Sequence, residues 1–226
     1  MIKGTVVKIE NLADTRKKKM FAIMKRYYEN LKEDNFYSDL SKKQDVILLC
    51  DKQGDIHGFT TQAIFLTDNN TQLLFSGDTI VEQEYWGAND LWQAGAKNAF
   101  KYAGNFNGAT YWFLLSKGYK TYKYLHTFFN EFYPQVDKAT LEYIQEIMDK
   151  FCKEHYGEKY QNGVLKMGKD YLKEEFAVLD EVKLKNRHTA FFLEKNPNYK
   201  NGDELVCLCE LSVENLNKLG RKMLGV

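Results

Sequence analysis

Proline occurs only twice in 226 residues, and no stretch combines proline, glycine and serine, so the chain offers no linker at which to divide it. Cysteine is sparse as well. The four present (Cys50, Cys152, Cys207, Cys209) form no Cys-x-x-Cys pair, and no histidine lies near Cys207 and Cys209, so neither a disulfide framework nor a zinc pattern is signalled. Charge of one sign is also missing. With 32 basic against 31 acidic side chains the formal net charge is +1, and nothing global favours nucleic acid or an anionic membrane. No run approaches the roughly 20 apolar residues of a membrane span, and the opening MIKGTVVKIENL lacks the apolar centre of a signal peptide. The expectation is a reduced, cytoplasmic protein with no membrane span and no metal.

What is abundant is apolar and aromatic: hydrophobic residues make up 44% and aromatics 15%, enough to build a large core. A single domain over residues 1–226 is expected, with 136–186 as a helical insertion. Thr5 to Ile9 reads as a short strand, after which Asp14 or Thr15 caps a helix whose apolar positions Met20, Ile23, Met24, Tyr27 and Leu31 share one face. The basic run Arg16 to Lys19 sits on its first turn, either as a solvated face or as a contact surface for an acidic partner. Asp45 to Asp51, Ile56 to Thr67 and Thr71 to Val81 alternate with the turns Gln53-Gly54-Asp55 and Asp68-Asn69-Asn70, which predicts an antiparallel meander.

The pattern then changes from strands to strand and helix. A helix is predicted from Asn89 or Asp90 to Gly104, a strand from Thr110 to Ser116 and a helix from about Tyr119 to Phe132, which requires a crossover and one parallel pair. A further helix opens at Asp137 or Lys138 and ends by Gly157; residues 157–186 read as irregular, with a short helix around Tyr171. Thr189 to Glu194 and Glu204 to Leu211 are predicted as a C-terminal hairpin, followed by a helix capped by Ser212. The fold class is α/β (α+β), a mixed, mostly antiparallel sheet flanked by helices.

The stretch from Leu73 to Tyr133 carries the chemistry. Its strand, loop and helix around Glu84-Tyr85-Trp86-Gly87-Ala88-Asn89 can present free amides to a phosphate. Ser76-Gly77-Asp78-Thr79 interrupts an apolar strand, so Asp78 is either a base or a local partner at a bulge made by Gly77. His126, on the aromatic helix of this stretch, is either a base or a packed or exposed histidine. Cys207 and Cys209 alternate with Val206 and Leu208 in a strand buried on both faces and read as structural.

In the order of its elements this segment resembles the GNAT superfamily of N-acyltransferases, and is also similar to a group of bacterial proteins sharing the strings SGDTIV, YWG and GDELVC. The family resemblance implies that the loop Glu82 to Asn89 holds the pyrophosphate of coenzyme A, with the pantetheine arm between splayed strands Leu73 to Val81 and Thr110 to Ser116. The donor would be coenzyme A as an acyl-CoA, or acyl-phosphopantetheine on an acyl carrier protein, and the acceptor a small-molecule or protein amine. Carried over by position, Ile80, Val81, Glu82, Trp86, Gly87, Ala88, Asn89, Trp112, Ser116 and Lys117 would bind the donor, Asp78 would be the base, and Tyr119 or Tyr122 the acid. Both tyrosines also fall on an apolar stripe with Leu125, Phe129 and Phe132, which is the pattern of core. Glu84 and Asn89 depart from the family's usual loop, which leaves room for a non-catalytic binding module or a signal synthase fed by acyl carrier protein.

Overall fold

A computed structural model describes residues 2–67, 70–168, 170–177 and 184–226. The strands are β1 (Lys3–Lys8), β2 (Tyr28–Glu29), β3 (Asp45–Cys50), β4 (Ile56–Thr67), β5 (Thr71–Val81), β6 (Ala109–Ser116), β7 (Tyr160–Gln161), β8 (Val164–Leu165), β9 (Tyr171–Leu172) and β10 (Glu204–Glu210). The helices are α1 (Asp14–Tyr27), α2 (Glu33–Leu40), α3 (Asp90–Gly104), α4 (Tyr119–Phe128), α5 (Glu142–Tyr156), α6 (Glu174–Ala177), α7 (Arg187–Lys195) and α8 (Lys218–Leu224). Eight strands form one sheet in the order β1-β3-β4-β5-β6-β10-β8-β7, and β2 pairs with β9 apart from it.

The meander is present, with β3, β4 and β5 antiparallel, and α3 crosses over so that β6 lies parallel to β5 from Thr71–Ala109 to Ser76–Leu114. All the other pairings in the sheet are antiparallel. Period-2 alternation sends the side chains of each central strand to two different cores. Leu73, Phe113, Val206 and Leu208 pack with Ile144, Met148 and Phe151 of α5, whereas Leu74, Leu114, Cys207 and Cys209 pack with α4 and α7 on the opposite face. Towards the β1 edge, α1 and α2 cover the α5 side of the sheet and α3 covers the other. Cys207 and Cys209 are buried, and burial pushes the Cys207 thiol up to about 12.

The differences from the sequence reading lie in the last third and at helix ends. Thr189 to Glu194 is helical rather than a strand: the Asn186 carboxamide accepts from the amides of His188 and Thr189, and the resulting α7 buries Phe192. A short apolar run cannot by itself distinguish helix from strand. There is accordingly no C-terminal hairpin, and β10 inserts between β6 and β8. Asn217, not Ser212, caps α8, accepting from Leu219 and Gly220, while the Ser212 hydroxyl takes the Asn215 amide instead. Helix α4 stops at Phe128 because Phe129 turns extended and bridges to Leu216; α5 begins at Glu142 because Asp137 adopts φ +61. Tyr171 lies in β9, drawn into pairing with β2, and Ala13 stands at the start of α1 with Asp14 in its first turn. Helix α2 had no counterpart in the sequence reading. Asp68 and Asn69 of the second expected turn lie outside the described residues. In the basic run, Lys17 is paired with Asp14 at 3.0 Å.

Candidate active site

The site begins with a bulge. Opposite Thr60 stands Thr79, and opposite Gln62 stands Ser76, so Gly77 and Asp78 together face Thr61. A Cβ at Gly77 would lie 2.5 Å from the Thr61 hydroxyl, so the close approach of the two strands requires glycine there. An extra residue bends and twists its strand. Pairing of β5 with β6 stops at Ser76–Leu114; beyond it β5 stays with β4 as far as Val81, and β6 stays with β10 as far as Ser116. The parallel strands therefore part into a wedge, with an edge on β5 that is unpaired among the described residues.

On one side of the wedge, between α3 and α4, lies a mostly apolar cavity of about 70 Å³ whose walls include Ser76, Thr79, Gly95, Ala96, Trp112 and Tyr124. That is room for a few atoms of a chain rather than a bulky group. The Trp112 indole donates to the Ser76 hydroxyl at 2.8 Å, pinning the ring across the base of the wedge. Trp92 of α3 stacks on Phe128 of α4 at 3.8 Å between centroids and lies parallel to Tyr124 at 6.2 Å. Burial pushes the Tyr124 phenol up, so it holds its proton at neutral pH.

The other side of the wedge is charged. Burial, helped by the charge of Asp39, raises the Asp78 carboxyl to about 6 against the opposing pull of Lys117 and Lys43. Lys117 contacts Asp170 at 2.6 Å and Glu204 at 3.3 Å; burial works against its charge, but Glu204, Tyr28 and Asp170 outweigh it and hold the lysine protonated. Tyr28 lies beneath Lys117 and is pushed up to about 12 by burial.

A loop closes the open end of the wedge. Its first half is tightly bonded: the Glu82 amide donates to His57 O at 2.8 Å, the Gln83 amide to the Tyr27 hydroxyl at 2.7 Å, and Tyr85, Trp86 and Ala88 to carbonyls three residues back. The buried Glu82 carboxylate is gripped by Arg26 and by His57 Nδ1 at 2.8 Å, and His57 Nε2 meets Asp51 at 3.1 Å. Burial pulls the His57 pKa down, but its bonds to Glu82 and Asp51 prevail and leave it raised. In the second half Gly87 has φ +99. Among the described residues no backbone carbonyl takes the amides of Gly87, Asn89 or Asp90, and the Asn89 side chain does not cap α3.

Of the residues singled out in the sequence, the wedge gathers Asp78, Val81, Trp112, Trp86 and the Gly87-Ala88-Asn89 turn. Others point elsewhere. Tyr122 is fully buried and donates to Pro134 O at 2.9 Å, and the Tyr119 hydroxyl pairs with His126 Nε2 at 3.2 Å beside Phe192. Ser116 lies in the core with its hydroxyl 3.8 Å from Cys207 Sγ, Lys117 is committed to its carboxylates, Ile80 packs into the α1 and α2 core, and Glu82 anchors the loop from below. The sequence reading passed over Ser76, Thr79 and Tyr124 as site residues. Tyr124 carried a signal: with Thr121 and Phe128 it forms a second stripe on α4, next to the core stripe of Tyr122, Leu125 and Phe129. Among the described residues no group of three His, Cys, Asp or Glu side chains is placed to hold a metal ion.

No family model matches the chain, and no curated protein matches it. Among solved structures it is similar to the GNAT family N-acetyltransferase YhbS of Escherichia coli in complex with CoA, at 12% identity over 52% of this chain and 64% of that one, TM-score 0.39. It is also similar to a probable N-acyltransferase of Enterococcus faecalis, at 17% identity over 57% of this chain and 33% of that one, TM-score 0.42. A third is an aminoglycoside acetyltransferase from an uncultured soil metagenomic sample in complex with trehalose, at 12% identity over 62% and 93%, TM-score 0.43. The chain thus spans about a third to two thirds of the first two and nearly all of the third.

Proposed function

We propose that the protein is an N-acyltransferase that moves an acyl group from a coenzyme A thioester to an amine by direct attack. The observation that carries this reading is the wedge itself, with an apolar cavity on one face and, on the other, a carboxylate whose pKa lies near 6. The two reactants would approach from opposite faces and meet where β5 and β6 part.

Each step has a group available. The free amides of Gly87, Asn89 and Asp90 and the N-terminus of α3 receive the donor's pyrophosphate. The Glu82 amide points to β4, so the neighbouring Val81 turns its own N–H and C=O to the open edge, as does Thr79 two residues earlier; either amide can polarise the thioester carbonyl. Asp78, ionised above about pH 6, takes a proton from the ammonium form of the acceptor, directly or through water. The amine nitrogen then bonds to the carbonyl carbon, the C–S bond breaks, the Tyr124 phenol protonates the departing thiolate, and the extra proton left on the new amide nitrogen returns through water to the Tyr124 phenolate. Tyr124 replaces Tyr119 and Tyr122 in that role because its ring, unlike theirs, borders the cavity.

The test is amine-dependent release of free thiol from acetyl-CoA across a panel of primary amines. Turnover is expected in the native protein and a loss of roughly a hundredfold in Asp78→Asn, with donor affinity unchanged. Absence of coenzyme A binding by calorimetry would overturn the reading.

A further inference from the structure

The unpaired edge of β5 is already occupied. The Glu82 N–H donates to His57 O on β4, so across that trans peptide the Val81 carbonyl points away from β4, into the wedge. There it accepts a hydrogen bond from the Trp86 indole Nε1 at 2.9 Å. The indole thus takes the acceptor that an extended, amide-bearing ligand would use on joining β5 as a partial strand.

Among the described residues, the contacts that hold the ring are few and lie at the mouth of the wedge. Lys120, from the first turn of α4, places its ammonium 3.5 Å from the indole centroid, spanning the gap between the loop and α4. Phe176 of α6 meets the ring edge-on at 6.1 Å. Phe176 is itself fixed: it packs on Tyr27 at 4.8 Å, and the Lys173 amide donates to Tyr27 O at 2.9 Å. Trp86 remains 44% exposed and belongs to none of the buried clusters, so among the described residues one hydrogen bond, one cation–ring contact and the edge of Phe176 hold it there, each modest at a half-exposed position. The next residue, Gly87, has φ +99 and open space where a Cβ would stand, which gives the backbone beside Trp86 a pivot.

Resting on the acyltransferase reading, we propose that Trp86 is a self-plug: it caps the β5 edge in the free protein, and the amide arm of the donor displaces it on binding. The cost of displacement is subtracted from donor affinity, so the plug sets how much donor is needed to open the site. It also keeps water and short thiols off the edge while the site is empty.

Calorimetry with acetyl-CoA and with the nucleotide fragment of coenzyme A, which lacks the amide arm, tests this on native protein, Trp86→Phe and Trp86→Ala. The exposure of Trp86 makes both variants compatible with folding, which circular dichroism checks. Acetyl-CoA is expected to bind about fivefold tighter to Trp86→Phe, which keeps a ring but no N–H, and tighter still to Trp86→Ala, while the nucleotide fragment binds all three alike. Acetyl-CoA affinity that is unchanged or weaker in both variants overturns the plug alone, as does equal tightening of the nucleotide fragment. If none of the three proteins binds acetyl-CoA, the acyltransferase reading falls and the plug with it.

Discussion

Asp78 stands on a bulge whose geometry turns its carboxyl towards Lys117, Lys43 and Asp39, and burial raises it from 3.8 to about 6. A base with that value is ionised at neutral pH yet still basic enough to take a proton, so kcat/KM is expected to rise with pH to a plateau, with an inflection near 6 that Asp78→Asn removes. The same shift has a sign for stability. A group whose folded pKa lies above its ordinary value stabilises the fold fully below that ordinary value, and this contribution is lost as pH rises through about 6. Asp78→Asn should therefore melt at a higher temperature than the native protein at alkaline pH, by up to roughly 3 kcal/mol in stability, and show no gain near about pH 3, as thermal unfolding across pH would reveal. At this scale Asp78 was legible because a polar tetrad broke an apolar strand. Tyr124 was not legible as a site residue, since on α4 a core stripe and a cavity stripe are both aromatic and only the sheet beneath distinguishes them.

At the scale of elements, the loop from Glu82 to Asn89 is held at its root by Arg26, His57 and Asp51 and left with free amides at its tip. His57 donates from both ring nitrogens only when protonated, and its raised pKa means this support is complete below the ordinary 6.5 and fades as pH rises through the raised value. His57→Gln is expected to speed amide exchange of residues 82–89 strongly at about pH 6 and progressively less as pH rises and the native histidine loses its proton. Across the cavity, Ala96→Leu should fill the space between α3 and α4 and weaken donor binding at least tenfold while melting close to the native protein, as calorimetry and thermal scans would check. The meander, the crossover and α3 were readable because strand alternation and helical spacing there are long. Helix α7 was misread because six residues containing Phe191, Phe192 and Leu193 satisfy both periods, and the deciding feature, the Asn186 cap, lies outside them.

For the whole molecule, the sheet runs without a break from β1 to β7, and the segment between α5 and α7 is tied in through Lys117 to Asp170 and through β2 to β9. We propose one cooperative unit over the full chain, so calorimetric unfolding should show a single transition, and a separate transition for 136–186 would contradict it. The placement of that segment could not be read from sequence, because two-residue strands carry too little pattern and are fixed by partners far along the chain. The central claim is that the wedge between β5 and β6 receives a thioester donor. Hydrogen exchange with and without acetyl-CoA tests it most directly: slowed exchange confined to residues 77–89 and the first turns of α3 and α4 is expected, whereas no protection, or protection confined to α5 and the far edge of the sheet, would contradict it.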